Sequence, residues 1–383
     1  MPQTVLSIVS TLARGGPINV LMGIVRHFRQ EDFRAVIATL SGEHADTRLE
    51  DFRSLGISIK QMGMSRARFV LGGAEELRRL VSEVKPDLIH FHGFRADVLA
   101  VKARLNCPIV TTLHCNLLED YRLAFGRGLG SLMAIREYAA LKRFDRVVAV
   151  SESVAEAARR FGIEAHIVPN GVELDEHLPA QDSDRMRAIR ANFGWPSDAV
   201  IVLHTGSLIH RKNPVDVVTG FRASELSKRA TLVFAGNGPL HSQCLRAAGG
   251  ASNIVFLGER RDIPDLLKAS DVLISASSSE GLPMALLEGC ASGIRILASD
   301  IAPHRYILKS FPDQVRIFRC MDLPAIQAAF DSVGSERRFT PSPSALETIS
   351  NRRMSSQYQE LYSGLLQSRT PAAEPHGRET LRC

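Results

Sequence analysis

Apolar runs of strand length recur through this chain, and each is followed by a stretch whose apolar residues have helical spacing. In the first half the runs are Val5–Val9, Ala35–Thr39, Ile57–Gln61, Leu88–Phe91, Ile109–Leu113 and Val147–Val150. In the second half they are Val200–His204, Thr231–Ala235, Ile254–Leu257, Asp271–Ser275 and Ile294–Ala298. Strands alternating with helices build parallel sheets covered on both faces. A chain of 383 residues exceeds one ordinary core, so the α/β alternation divides between two domains. Ligands of such sheets bind beyond the C-terminal strand ends. The residues just after each run are therefore the candidates for function.

The most specific of these junctions is Ser277–Gly293, S-S-S-E-G-L-P-M-A-L-L-E-G-C-A-S-G. Ser277, Ser278, Ser279 and Gly281 interrupt the strand. Pro283 suits the first turn of a helix, and Gly293 suits its stop. A turn leading into a helix N-terminus is a ready anion site, and free N–H groups near Leu282 and Met284 can hold a phosphate. Glu280 lies in the turn and Glu288 in the helix. Glu288 can accept hydrogen bonds from a sugar diol, while Glu280 can reach a second sugar beyond the phosphate. Singly, each reads as well as a turn carboxylate or a solvated helix residue. The whole string resembles the donor-site signature of retaining GT-B glycosyltransferases of family 4 (glycosyl transferases group 1). It carries Glu-(seven residues)-Glu, Gly281-Leu-Pro after the first Glu and Leu286-Leu before the second.

That resemblance covers about residues 1–365. It implies two Rossmann-like, doubly wound domains facing a central cleft, with a C-terminal helix crossing back to the first. The boundaries are an acceptor-side domain over 1–173, a linker and entry helix over 174–197 and a nucleotide-sugar domain over 198–344. A crossover helix follows over 345–367, then a disordered tail over 368–383. The activity implied is transfer of a sugar from a nucleoside-diphosphate sugar to a glycan or lipid-linked acceptor, with retention and no essential metal. Bacterial surface polysaccharide or lipopolysaccharide synthesis is the setting it suggests.

The family pattern places Gly15 and Gly16 against the donor diphosphate. It places His114 on hydroxyls of the donor sugar and His92 on the acceptor side. His90 belongs to the strand and reads as a satisfied core histidine. Thr205-Gly-Ser-Leu-Ile-His-Arg-Lys212 sets a lysine six residues after a glycine, where it can offset charge growing on a leaving phosphate. The family usually has Arg where Ser207 stands and Gly where Asn213 stands. A serine donates only a neutral hydrogen bond, weaker than a charged one, and Arg211 is the candidate substitute. Lys212, Glu280 and His114 are thus the expected catalytic residues. Gly15, Gly16, Ser207, Arg211, Gly281, Leu282, Met284 and Glu288 are the expected substrate-binding residues. Ser151-Glu-Ser153 and Val168-Pro-Asn-Gly171 match the family as structural segments, and Asp262 reads as a helix cap.

Other signals narrow the setting. The formal charge of +6 fits anionic partners, but no nucleic-acid motif is present and aromatic residues are few. The six cysteines are scattered without a C-x-x-C pair; with no basic, apolar leader, that reads as free thiols in the cytoplasm. Tyr121–Arg146 mixes apolar residues with Arg122, Arg127, Arg136, Lys142, Arg143 and Arg146. It reads equally as a helix packed on the sheet and as a face for the anionic inner membrane surface. Asp182-Ser-Asp184 mimics a metal-binding D-x-D but lacks a preceding strand and reads as a helix cap. Gly236-Asn-Gly238 suggests a nicotinamide oxidoreductase, yet His241 replaces the third glycine and no acidic residue follows at the right spacing. A non-catalytic sugar-nucleotide sensor, suggested by Ser207, and a GT-B epimerase are the remaining rivals.

Overall fold

The computed structural model of the chain describes residues 1–43, 46–178, 183–196, 199–335 and 338–369. The first half contains β1 (Gln3–Val9), β2 (Phe33–Thr39), β3 (Ser58–Gln61), β4 (Leu88–His92), β5 (Ile109–Leu113), β6 (Arg146–Ala149) and β7 (Ala165–Ile167). They form one parallel sheet in the order β3-β2-β1-β4-β5-β6-β7. The second half contains β8 (Val200–Thr205), β9 (Ala230–Ala235), β10 (Ile254–Phe256), β11 (Val272–Ser275), β12 (Arg295–Ser299) and β13 (Val315–Phe318), ordered β10-β9-β8-β11-β12-β13. In both sheets the strand order reverses beside the first strand, at β1/β4 and at β8/β11. Such switch points open crevices for ligands.

Every residue of β8 and β9 is buried, as expected for strands covered by helices on both faces. Edge strands β7 and β13 are absent from the sequence expectation. Their partly exposed patterns, Ala165-His-Ile and Val315-Arg-Ile-Phe, lack a continuous apolar run. The largest core cluster is continuous between the halves. It joins Leu113, Tyr138 and Val150 to Leu203, Leu273 and Leu286.

The expected single helix over 345–367 is two helices, Pro343–Thr348 and Asn351–Arg369. The break lies where the chain recrosses the linker. Val172 N donates to Ile349 O at 2.8 Å, and Asn351 N donates to Val172 O at 2.9 Å. The longer helix then packs on helix Gly16–Arg26, with Ser355 Oγ donating to Ile24 O at 2.7 Å. The expected cap at Asp182 and the tail beyond residue 369 lie outside the described residues.

Candidate active site

The chain leaves β8 at Gly206, whose φ of +118° suits glycine. A Cβ there would lie 3.9 Å from Lys212 Nζ, so the lysine head rests against this turn. The helical turn His210–Lys212 presents Arg211 and Lys212 together. They converge on Glu280, with Lys212 Nζ 2.5 Å from Oε1 and Arg211 Nη1 2.7 Å from Oε2. Ser277 Oγ adds a third donor to Oε1 at 2.8 Å. Burial pushes the Glu280 carboxyl upward, but the Lys212 and Arg211 charges outweigh it and hold the group at about 2. Ser207 is exposed on the same turn, so Arg211 is the second cation of this cluster.

The glycines of Gly236-Asn-Gly238 have a backbone explanation. A Cβ on Gly236 would collide with the carbonyl oxygen of Gly206, and one on Gly238 would lie 2.6 Å from Leu208 O. They let β9's following loop lie against the loop that carries Lys212, without invoking a dinucleotide.

The stretch after β11 turns and enters helix Met284–Ala291, with Pro283 extended at the cap position rather than inside the first turn. This turn is docked on the first domain. Ser151 Oγ donates to Gly281 O at 2.7 Å, and Asn170 Nδ2 donates to Leu282 O at 2.9 Å. Any Cβ on Gly281 would strike the His114 carbonyl oxygen. Ser151 and Asn170 were read from sequence only as parts of structural segments. Serine caps and Asn-Gly turns are too common for sequence to show that these two reach across the cleft.

Glu288 is half-buried one helical segment away. It lines a cavity of about 50 Å³ with Asn19, Arg48, Glu176, His177 and Met284. Arg48 Nη1 donates to Asn19 Oδ1 at 2.8 Å, so the first domain faces Glu288 with a cation and an amide. Neither residue was legible in sequence beyond Asn19's place one turn after Gly15-Gly16-Pro17. Burial raises the Glu288 carboxyl; His177 and Arg48 oppose that, and Glu176 adds to it. Gly16 faces the same helix, its Cβ position 4.0 Å from Met284 Cγ, while Gly15 opens on free space.

The histidines form a column. His90 is fully buried and bonded to Tyr362 OH (2.7 Å) and Thr112 Oγ1 (2.8 Å). His92 lies tilted against it, ring centroids 4.0 Å apart, stacks on His114 and lies 3.3 Å from His114 Nε2 through its Nδ1. His92 is only 5% exposed. It therefore underlies His114 instead of facing the open cleft, because strand β4 continues through it. Burial lowers His114 to about 4. At pH 7 it is an uncharged hydrogen-bonding group. Asp262 also departs from expectation: its carboxylate pairs with Arg260 at 2.6 Å and makes no cap bond.

Residues 14–176 match the family model of Glycosyltransferase Family 4, and residues 185–336 match that of Glycosyl transferases group 1. Together these stretches take in most of the chain. The chain belongs to this glycosyltransferase family. Among similar proteins, an Escherichia coli UDP-Gal:alpha-D-GlcNAc-diphosphoundecaprenol alpha-1,3-galactosyltransferase is 24% identical over 61% of this chain and 63% of its own. The alpha-monoglucosyldiacylglycerol synthase of Streptococcus pneumoniae is 25% identical over 66% of this chain and 60% of its own. The chain spans 54% of a teichuronic acid biosynthesis relative from Bacillus subtilis. The crystal structure of Anabaena HepE with UDP and glucose superposes with a TM-score of 0.79 at 17% identity, covering 94% of this chain and all of that one. That likeness establishes the shared GT-B architecture of this family member. Among the described residues no helix is long and apolar enough to cross a membrane.

Proposed function

We propose that this family member transfers a sugar from a nucleoside-diphosphate sugar to a glycan or lipid-linked acceptor with retention of configuration, in bacterial surface-glycan synthesis. The observation that carries the reading is the Lys212–Glu280–Arg211 cluster beside the N-terminus of helix Met284–Ala291. In this reading the diphosphate takes the Lys212 ammonium in competition with Glu280, and the helix N–H groups and Gly16 close around it. Arg211 supplies the charge missing at Ser207, so the reaction runs without an essential metal. Glu288 accepts from the ribose diol, Glu280 faces the transferred sugar, and neutral His114, braced by His92, bonds its hydroxyls. Positioning and stabilisation of the leaving diphosphate provide the rate. The relatives' printed activities, a UDP-sugar donor and lipid-linked or glycolipid products, support this class.

A thermal-shift screen against UDP-, GDP-, ADP- and dTDP-sugars tests it. One base class raises the melting temperature, since ligand at 100 times Kd adds about 2.7 kcal/mol of stability, and that donor hydrolyses slowly without acceptor. No shift with any donor overturns the reading. A shift without any hydrolysis or transfer leaves the sensor in its place.

The acceptor side of the reading includes a cytoplasmic membrane surface. Tyr121–Arg146 is not one helix. Gly126, with φ +78°, separates Leu117–Phe125 from Arg127–Leu141. The second helix buries Ala134, Glu137, Tyr138 and Leu141, yet Leu129, Leu132 and Ile135 are all more than half exposed on another stripe. Leu123 and Phe125 of the first helix are exposed too, as are Arg122, Arg127 and Arg136 of the two helices. Apolar side chains together with arginine suit anionic lipid. The protein is expected to co-sediment with phosphatidylglycerol vesicles at low salt. Replacing Leu129, Leu132 and Ile135 by Ser is expected to weaken that binding by roughly tenfold or more. Equal binding to neutral phosphatidylcholine vesicles, or none to either, removes the membrane from the proposal.

A further inference from the structure

Two carboxyl groups lie buried beneath this hairpin, and no cation pairs with either among the described residues. Asp97 of helix Phe94–Ala103 and Glu137 of helix Arg127–Leu141 are each 1% exposed. Thr111 on β5 donates to Asp97 Oδ1 at 2.7 Å, and the Tyr121 hydroxyl donates to Glu137 Oε2. Asp97 Oδ2 finds no donor among groups that carry a hydrogen, but Glu137 is within hydrogen-bonding reach of Asp97. Two carboxylates in a dry site cannot both ionise. One proton shared between Asp97 and Glu137 satisfies the orphaned oxygen.

The helix that contacts this pair also contacts the donor cluster. From Leu117–Phe125, Tyr121 points to Glu137, while Glu119 Oε2 accepts from Ser279 Oγ at 2.8 Å. Asp120 Oδ1 lies 3.9 Å from Arg211 Nε, and Arg211 holds Glu280. A Cβ on Gly130 would collide with the Tyr121 carbonyl, so the two helices touch backbone to backbone. Besides Asp97 and Tyr121, the titratable groups that feel Glu137 are Cys115 and Tyr138, both raised mainly by burial. None brings a positive charge to the pair.

We propose that Asp97, Glu137 and Tyr121 are positioning residues: one shared proton seats the hairpin Leu117–Leu141 on the sheet, which presents Glu119 and Asp120 to Ser279 and Arg211 at the donor cluster. The seating is independent of the transferase reading; only its kinetic consequence rests on that reading. Burial raises both groups, Glu137 from 4.5 to about 7 and Asp97 well above the usual carboxylate range. The sign follows. The folded protein keeps protons that the unfolded chain has lost, so Glu137's contribution to stability falls as pH rises from about 4.5 to about 7, and Asp97's continues to fall as pH rises beyond its ordinary range. Above about pH 7, Glu137 is ionised and the proton on Asp97 is the shared one; its loss puts two charges in a dry pocket and unseats the hairpin.

Hydrogen–deuterium exchange of residues 117–141 between pH 6 and 9, corrected for intrinsic exchange, tests this on the full chain. In the native protein, protection of the hairpin is expected to fall as pH rises across this range, by up to about tenfold per pH unit for each proton that the seated pair holds and the unseated hairpin has lost. Glu137→Gln keeps an acceptor for Tyr121 and gains a donor for Asp97 without titrating, so its protection stays flat. Wild-type protection that is flat across this range overturns the proposal even if the variant fails to fold. So does a Glu137→Gln protein that keeps the wild-type pH dependence. Exchange needs no substrate, so its failure is distinct from failure of sugar transfer. In a transfer assay, Glu137→Gln moves the alkaline limb of kcat upward with the donor KM unchanged. An unmoved limb sinks the link from hairpin to donor cluster.

Discussion

Lys212→Ala lowers turnover by roughly two to three orders of magnitude. The lysine is the cation nearest the turn after β8, and its side chain is only 15% exposed. A charge aimed into so dry a site acts more strongly than one in water. Removing it takes away stabilisation that grows as the diphosphate leaves, so kcat falls more than donor affinity. The variant still folds, because Arg211 and Ser277 continue to satisfy Glu280. Its acid stability shifts, however. A carboxyl held at about 2 against an ordinary 4.5 contributes stability above pH 4.5 that is lost as pH falls toward 2. With Lys212 gone that depression shrinks, and acid unfolding begins at higher pH. Single-turnover kinetics with the donor found in the screen measure the main effect, and wild-type turnover would remove Lys212 from the mechanism.

Glu288→Ala abolishes measurable donor binding by calorimetry. Hydrogen bonds to a charged group contribute about 1.5–3 kcal/mol each. A carboxylate bridging a diol makes two, so affinity falls at least about 100-fold. The site is already arranged for the exchange of partners. Glu288 sits half-buried in a cavity whose other walls carry Arg48 and Asn19, and its raised carboxyl gains from any donor that replaces lost water. The alanine relieves a desolvated acid, so thermal stability without ligand stays level or rises slightly. Unchanged donor affinity would place the nucleotide elsewhere.

Much of this architecture was legible because burial writes itself into sequence where both faces of a strand are covered. Val200–His204 and Thr231–Ala235 are uninterrupted apolar runs for that reason. Strands β7 and β13 escape because His166 and Arg316 interrupt their short apolar runs. Local chemistry is a weaker guide. Asp262 has the identity of a cap, yet a neighbouring arginine two residues back binds it more strongly. The helix over 345–367 has no glycine or proline at its break; a tertiary backbone bridge to Val172 divides it.

Chain order alone determined that there are two parallel sheets, that a glycine precedes Lys212 by six positions, and that two glutamates stand eight apart around a helix start. Those are consequences of periodicity and of backbone needs that act within one loop. Only the folded molecule decided which partners these groups meet. It set Arg211 on Glu280, placed His92 beneath His114, carried Ser151 and Asn170 to the turn of the opposite domain, and left Asp97 against Glu137. Such pairings join residues dozens to hundreds of positions apart. Their energies depend on water having been excluded around them, a condition no local stretch of sequence can specify.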